Sequence, residues 1–220
     1  MRKYILLCVL CRILVSCNDV TMSPIDKDTE APGKVTNVVI ESIPGGAFIK
    51  YDLPNDPDLL YVKVVYKLDN GTLQTVNASC LDRSLKVEGF AEVKEYELFV
   101  TCVDRSGNES EAVVVKFLPQ TPPVISVKET INISPDFGGL NLTWDNETES
   151  PLAIIISQKE SDSDEYKIID TYYTSVKDGN YTSRGLESIE SEFKIKVRDK
   201  WGNYSDEINT KLTPLYEERL

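Results

Sequence analysis

Histidine is missing from all 220 residues, and tryptophan and methionine occur only twice each. Without histidine there is no Ser-His-Asp triad, no Cys-His dyad and no zinc site built on imidazole. Cations are also in short supply: 24 Lys and Arg face 36 Asp and Glu, a formal net charge of −12. That balance argues against a nucleic-acid partner, whose phosphates need Lys and Arg to neutralise them. The apolar stretch that begins at Tyr4 and is broken by Arg12 falls short of the ~20 residues that cross a bilayer as a helix. What remains, 41% hydrophobic and 27% charged, is ordinary for a folded chain and names no reaction. No cofactor and no metal ion is implied.

The N-terminus reads as an address. Arg2 and Lys3 form a positive region ahead of the apolar stretch, and Leu14-Val15-Ser16-Cys17 resembles a bacterial lipobox. In such a motif the thiol takes a diacylglycerol, and a small residue must precede the cut. Residues 1–16 are therefore expected to be a lipoprotein signal, with Cys17 lipidated. Loss of Arg2, Lys3 and Arg12 takes the 24 basic residues to 21 against 36 acidic ones, a formal −15. Residues 17–31 are polar and lack apolar periodicity, so they read as a flexible tether.

Of five cysteines, Cys8 and Cys11 leave with the signal and Cys17 carries lipid, which leaves Cys80 and Cys102. A secreted chain can pair these two in a disulfide, or leave them as small buried thiols on neighbouring strands. Sequence does not fix the distance between them.

An internal repeat sets the architecture. Leu98–Glu111 (LFVTCVDRSGNESE) and Phe193–Asp206 (FKIKVRDKWGNYSD) lie 95 residues apart. Both alternate apolar and polar residues as half-buried strands do. Both end in Asp-basic-x-Gly-Asn-x-Ser-acidic, expected to be a tight turn where Gly and Asn take unusual backbone angles. Strands follow at Ala112–Leu118 and Glu207–Leu212, so each repeat closes with a hairpin. The fronts match too, Gly45–Tyr51 with Gly138–Trp144. Leu60–Leu68, with Val62, Val64 and Tyr66 on one face, corresponds to Leu152–Ser157, and Tyr166–Tyr173 follows. No long stretch has helical periodicity. Short strands at regular spacing predict an all-β chain with about seven strands per repeat, one sandwich each.

These sandwiches resemble the fibronectin type III and immunoglobulin-like fold. Tyr51 and Trp144 stand where that fold buries an aromatic on its second strand. Tyr96 stands at its corner tyrosine with Gly89 just upstream, and Ser191 replaces it in the second repeat. The expected domains are 32–118 and 124–214, joined by a stiff, extended linker at 119–123 (PQTPP) and followed by a tail at 215–220.

The lipobox and tether, with EAPGKVTNV, VEGFAEVKEYELFVTCVDRSGNES, VRDKWGNYSD and LTPLYEE, are similar to lipoproteins of Bacteroidetes-type polysaccharide-utilisation loci. That resemblance implies a non-catalytic accessory of a glycan-uptake system, anchored by lipid at the outer membrane or cell surface. Its partners would be polysaccharide or the components of an outer-membrane glycan transporter. It also implies a third, discoidin-like domain, which the chain reaches Leu220 without entering. Two other readings stay open: a structural spacer or protein-interaction module without a ligand, and a secreted fibronectin-type adhesion module. The eight Asn-x-Ser/Thr sequons, from Asn70 to Asn203, would be glycan acceptors in the latter.

Candidate sites are few. Trp201, where the first repeat has Ser106, can stack on a sugar ring, with Tyr204, Tyr172, Tyr173 and Tyr181 extending the surface. Large aromatics at the ends of sandwiches more often cover the edge of a core. The acidic loops at Asn55–Asp58 and Glu160–Glu165 offer oxygen ligands but lack the glycine and terminal glutamate of a calcium loop, so they read as solvated. Asp104 and Asp199 are expected to accept hydrogen bonds from backbone amides in the matched turns. No two carboxylates are placed together by a motif, so no enzyme is expected.

Overall fold

The computed structural model describes residues 29–161 and 163–216; the signal, Cys17 and most of the tether lie outside them. The first sandwich has seven strands: β1 (Thr36–Ile43), β2 (Gly46–Asp52), β3 (Leu59–Lys67), β4 (Leu73–Ser79), β5 (Ser84–Glu88), β6 (Tyr96–Asp104) and β7 (Val113–Phe117). The second opens with a helix, α1 (Pro123–Thr130), and continues with β8 (Asn132–Asp136), β9 (Gly139–Asp145), β10 (Leu152–Lys159), β11 (Tyr166–Thr174), β12 (Asp178–Arg184), β13 (Ser191–Asp199) and β14 (Ile208–Leu212). Each domain packs a three-stranded sheet against a four-stranded one. The orders are β1-β2-β5 and β4-β3-β6-β7, then β8-β9-β12 and β11-β10-β13-β14. All the pairings within these sheets are antiparallel. The chain thus folds as two tandem fibronectin-type β-sandwiches, as the repeat predicts.

Alternation fills the two cores. In the first, Val62, Val64 and Tyr66 of β3 meet Ile49 and Tyr51 of β2 and Leu98 and Val100 of β6, all buried. In the second, Leu142 and Trp144 of β9 meet Ile154 and Ile156 of β10 and Ile195 and Val197 of β13. Each such side chain contributes about 1.5–3 kcal/mol by leaving water. The paired glycines that open β2 and β9 have a steric cause. Gly45 and Gly138 turn at φ 62° and 59°. A Cβ on Gly46 or Gly139 would lie 2.2 Å from the Val87 carbonyl or 2.0 Å from that of Ser183.

The PQTPP segment, expected to be a stiff, extended linker, is tied to the first domain: Gln120 accepts from the Gly45 N–H (3.1 Å) and donates to the Ile43 carbonyl (3.1 Å) of the β1–β2 turn. Pro123 then starts α1, whose Val124 and Val127 are buried in the second core. Proline suits that first helical position because its missing N–H has no partner to lose. Tyr96 stands where the corner tyrosine is expected: its hydroxyl donates to the Asp69 carboxylate (2.7 Å) and also meets the backbone of Glu92, four residues upstream. Lys94 and the Ala91 amide share that carboxylate. Burial pushes the Asp69 pKa up, but these hydrogen bonds outweigh it and the carboxyl sits below its ordinary value.

Candidate functional site

The matched turns are built alike. The Ser110 hydroxyl accepts from the Cys102 amide (2.9 Å), and the Ser205 hydroxyl accepts from that of Val197 (3.0 Å). Asp104 accepts from the Asn108 amide (2.8 Å), and Asp199 from the amides of Trp201 (2.8 Å) and Asn203 (2.9 Å). Only the glycines take left-handed angles, φ 85° at Gly107 and 83° at Gly202. The asparagines serve differently from the expectation. Their side-chain amides bond the same aspartates (2.8 Å each) and then reach beyond the turn.

In the second repeat that reach ends on the first domain. Asn203 Nδ2 donates to the Gly89 carbonyl at 2.9 Å in a buried contact, and Lys200 Nζ lies 3.2 Å from Glu88. The Trp201 ring covers Gly89 and packs on the first core. A Cβ on Gly89 would stand 2.9 Å from Trp201 Cδ2. Trp201 is therefore a half-buried interdomain wedge, the core-covering role, and is not presented for stacking. The crevice left at this junction is only about 50 Å³. Asn108 makes the corresponding reach to the Glu30 carbonyl, at 3.3 Å.

Tyr172 is also turned away from the surface. It stacks on Tyr181 at 4.0 Å and meets Trp144 edge-on at 5.7 Å against the second core. Tyr181 donates to Asp170 (2.7 Å); that bond, with burial, raises its pKa to about 12.

Tyr173 and Tyr204, by contrast, come together on the outer face of the β11-β10-β13-β14 sheet. Residues facing one another across strands share a face. Tyr173 faces Ala153, Ala153 faces Arg198, and Arg198 faces Tyr204. One row thus reads tyrosine, alanine, arginine, tyrosine. The next rows read Thr171, Ile155, Lys196 and then Ile168, Ser157, Lys194. Tyr173 is 69% exposed and Tyr204 54%, whereas Ala153 between the tall residues is 3% exposed and forms the floor of a trough. A cavity of about 570 Å³ opens here and runs into a second of about 540 Å³ along the sheet; Tyr173, Arg198 and Tyr204 line both. Arg198 Nη2 makes a long 3.4 Å contact to the Tyr173 hydroxyl. Interactions with the Tyr204 and Tyr173 phenols hold its guanidinium above its ordinary pKa. Among the described residues no carboxylate pairs with Arg198. Lys194 and Lys196 share the one carboxylate of Glu207, at 2.9 Å each, and are its chief reason for a lowered pKa.

The first domain is built differently at the same place. Its equivalent row is Ser79, Tyr61, Val103 and Glu109, so a tyrosine fills the place of Ala153 and Lys63 neutralises Glu109. Sequence reasoning found the two tyrosines but missed Arg198 and Ala153. The signal for Arg198 was the alternation Lys194, Lys196, Arg198 along one face of β13.

Cys80 and Cys102 are free thiols, and Cys102 is buried. Cys102 faces Val62 of β3, while Cys80 follows β4 on the far side of β3. Two strand spacings amount to about 9–10 Å, beyond the ~7 Å a disulfide tolerates. The proposed pairing is therefore not made. Of the acidic loops, Asp56 accepts a local amide and Asp164 pairs with Lys159. Among the described residues no three His, Cys, Asp or Glu come together as a metal would require, and no helix is long and apolar enough to cross a membrane.

Fold and site together define a tandem fibronectin-type sandwich protein with a clasped junction and an open groove on its second domain. Residues 32–119 match the family described as a domain of unknown function, DUF4959, and residues 120–220 match another, DUF5126. Among solved structures, a SusE-like protein is similar at 38% identity over 45% of this chain, with a TM-score of 0.38. The match spans 34% of that protein's length, about a third of it. The chicken interferon gamma receptor alpha chain is similar at 17% identity, covering 84% of this chain and 100% of its own, with a TM-score of 0.35. A two-domain fibronectin type III segment of chicken tenascin is similar at 12% identity, covering 82% and 99%, with a TM-score of 0.37. With TM-scores this low, the three likenesses carry no functional argument. No curated protein matches the chain.

Proposed function

We propose that this chain is a lipid-anchored, non-catalytic surface protein that captures carbohydrate for a glycan-uptake system. The observation that carries the reading is the open groove between Tyr173 and Tyr204 on the second domain. Exposed tyrosine rings offer flat apolar faces to the C–H faces of sugars, and their hydroxyls hydrogen-bond to sugar oxygens. The groove is shallow and open along the sheet, which suits a polymer passing through it better than a small substrate enclosed for reaction. The lipobox at Leu14–Cys17 and the sequence likeness to polysaccharide-utilisation lipoproteins support the anchor and the setting.

Affinity electrophoresis of the full chain in neutral detergent, through gels containing a panel of polysaccharides, tests the reading. Retention by at least one polymer is expected, with at least tenfold weaker retention for the Tyr173→Ala/Tyr204→Ala double variant. Both side chains are exposed, so each replacement should leave stability within about 0.5 kcal/mol. A chain that migrates freely in every gel refutes carbohydrate capture. The clasp at Trp201 and Asn203 favours a second reading, a rigid spacer without a ligand, and that result would leave it standing.

A further inference from the structure

The chain carries 36 acidic residues against 24 basic ones, yet Arg198 lies in an open groove with only tyrosine hydroxyls beside it and no carboxylate partner among the described residues. Several exposed lysines elsewhere are paired with acids, for example Lys50 with Glu41, Lys116 with Glu95 and Lys177 with Glu147; what marks Arg198 is its place between two exposed tyrosines in a groove. The groove is also cationic in sum. Lys194, Lys196, Arg198 and Lys200 line its two parts against Asp199 and Glu207, with Lys200 further paired to Glu88 at the junction. Of these, Asp199 is spent on the amides of its own turn.

We infer that the groove selects an acidic polysaccharide, with Arg198 receiving a carboxylate or sulfate of the sugar while Tyr173 and Tyr204 hold the rings on either side. This deepens the carbohydrate reading above and rests on it. A guanidinium presents two parallel N–H donors that match the two oxygens of such a group. The trough over Ala153 leaves room for that group between the two aromatic faces, where the first domain has Tyr61 instead. The strongly acidic remainder of the surface repels a polyanion, which confines its contact to this strip. Lys196 and Lys194, one and two rows further along the sheet, continue the cationic line in the direction a polymer would run.

Polygalacturonate, alginate and chondroitin sulfate are the acidic probes, and dextran, xylan and galactan the neutral ones, each titrated against the full chain in neutral detergent by isothermal calorimetry. Poly-glutamate serves as a polyanion without sugar rings. At least one acidic polysaccharide is expected to bind, at least tenfold more tightly than any neutral polymer or poly-glutamate. Arg198→Gln, which keeps hydrogen-bonding groups but loses the charge, should weaken that binding about tenfold or more. Arg198→Lys should recover part of it. Binding confined to neutral polymers overturns the acidic assignment while leaving carbohydrate capture intact. Acidic polymers that bind Arg198→Gln as well as the parent chain overturn the role of Arg198. Poly-glutamate binding as tightly as the polysaccharides points to an acidic protein surface and overturns the proposal. No binding to any polysaccharide removes the carbohydrate reading itself.

Discussion

The two repeats supply their own control for the interdomain clasp. Asn108 and Asn203 occupy the same place in the same turn, and each donates to its aspartate at 2.8 Å. Replacing either with Ala removes that bond, at about 1 kcal/mol. Their outward reach differs. Asn108 meets the Glu30 carbonyl at 3.3 Å near solvent, where water can replace it. Asn203, 8% exposed, meets the Gly89 carbonyl at 2.9 Å inside the junction. Its removal leaves that carbonyl buried without this donor, a further cost of about 1–2 kcal/mol. Asn203→Ala should therefore melt roughly 5 °C below Asn108→Ala, given the entropy of a domain of this size. It should also loosen the contact between the domains, so that calorimetry resolves two transitions where the parent chain shows coupled unfolding. The emission of Trp201, which lies on Gly89, should shift to the red in Asn203→Ala and not in Asn108→Ala. Equal melting temperatures with unchanged emission would show that the clasp holds nothing together.

Gly179→Ala would place a Cβ 1.9 Å from Trp144 Cε2 and 2.2 Å from Cζ2, in a ring that is 5% exposed; it should destabilise the second domain by about 3 kcal/mol or more in urea unfolding, while Gly107→Ala, with nothing near its Cβ, should show only backbone strain. The Asp69 carboxyl is lowered in the folded chain by Lys94, Tyr96 and Ala91 against the upward pull of burial. A depressed carboxyl stabilises fully above its unfolded value near 4 and loses that contribution as pH falls through the folded value. Tyr96→Phe should thus cost stability at pH 7, and much of the difference from the parent should vanish once the pH has fallen well below the ordinary carboxylate range in acid titration of the melting temperature. An unchanged difference at low pH would assign the effect to packing alone.

The sandwich was legible because its causes are local. Alternation in Leu98–Val103 and Phe193–Arg198 places apolar residues on one face of a strand, and the glycine pairs mark where strand approaches strand. The helix at Pro123–Thr130 was not legible because its apolar residues, Val124, Ile125 and Val127, span barely one turn behind prolines that read equally well as linker. The site was half legible. Tyr173 and Tyr204 are exposed aromatics that can be marked one by one. Their meeting depends on register, on Ala153 facing both Tyr173 and Arg198, and nothing in a single strand reports its neighbour. Trp201 and Cys102 stayed open between two readings for a related reason. Each was judged by residue type, whereas their fates depend on Gly89 of the other domain and on β3 lying between the cysteines.

One turn joins the two halves of the proposal. In Asp199–Asp206, Trp201 and Asn203 face the first domain while Tyr204 between Asn203 and Ser205 faces the groove. Pro151 and Leu152 line the groove and the junction crevice alike. A ligand that presses on Tyr204 therefore acts on a segment whose preceding residue, Asn203, is held by the first domain, and the groove keeps a fixed orientation to the body behind it. Under the proposed function, the clasp orients the groove and so serves capture. Trp201→Ala separates them: it should free the domains to move while leaving the Tyr173, Arg198 and Tyr204 row in place. Polysaccharide binding by that variant should persist within a few-fold when the domains are free in solution. Capture at a membrane surface should fall, because a groove on a loose domain no longer holds one direction. If binding in solution is lost along with domain coupling, the groove depends on the junction and its assignment to the second domain alone is wrong.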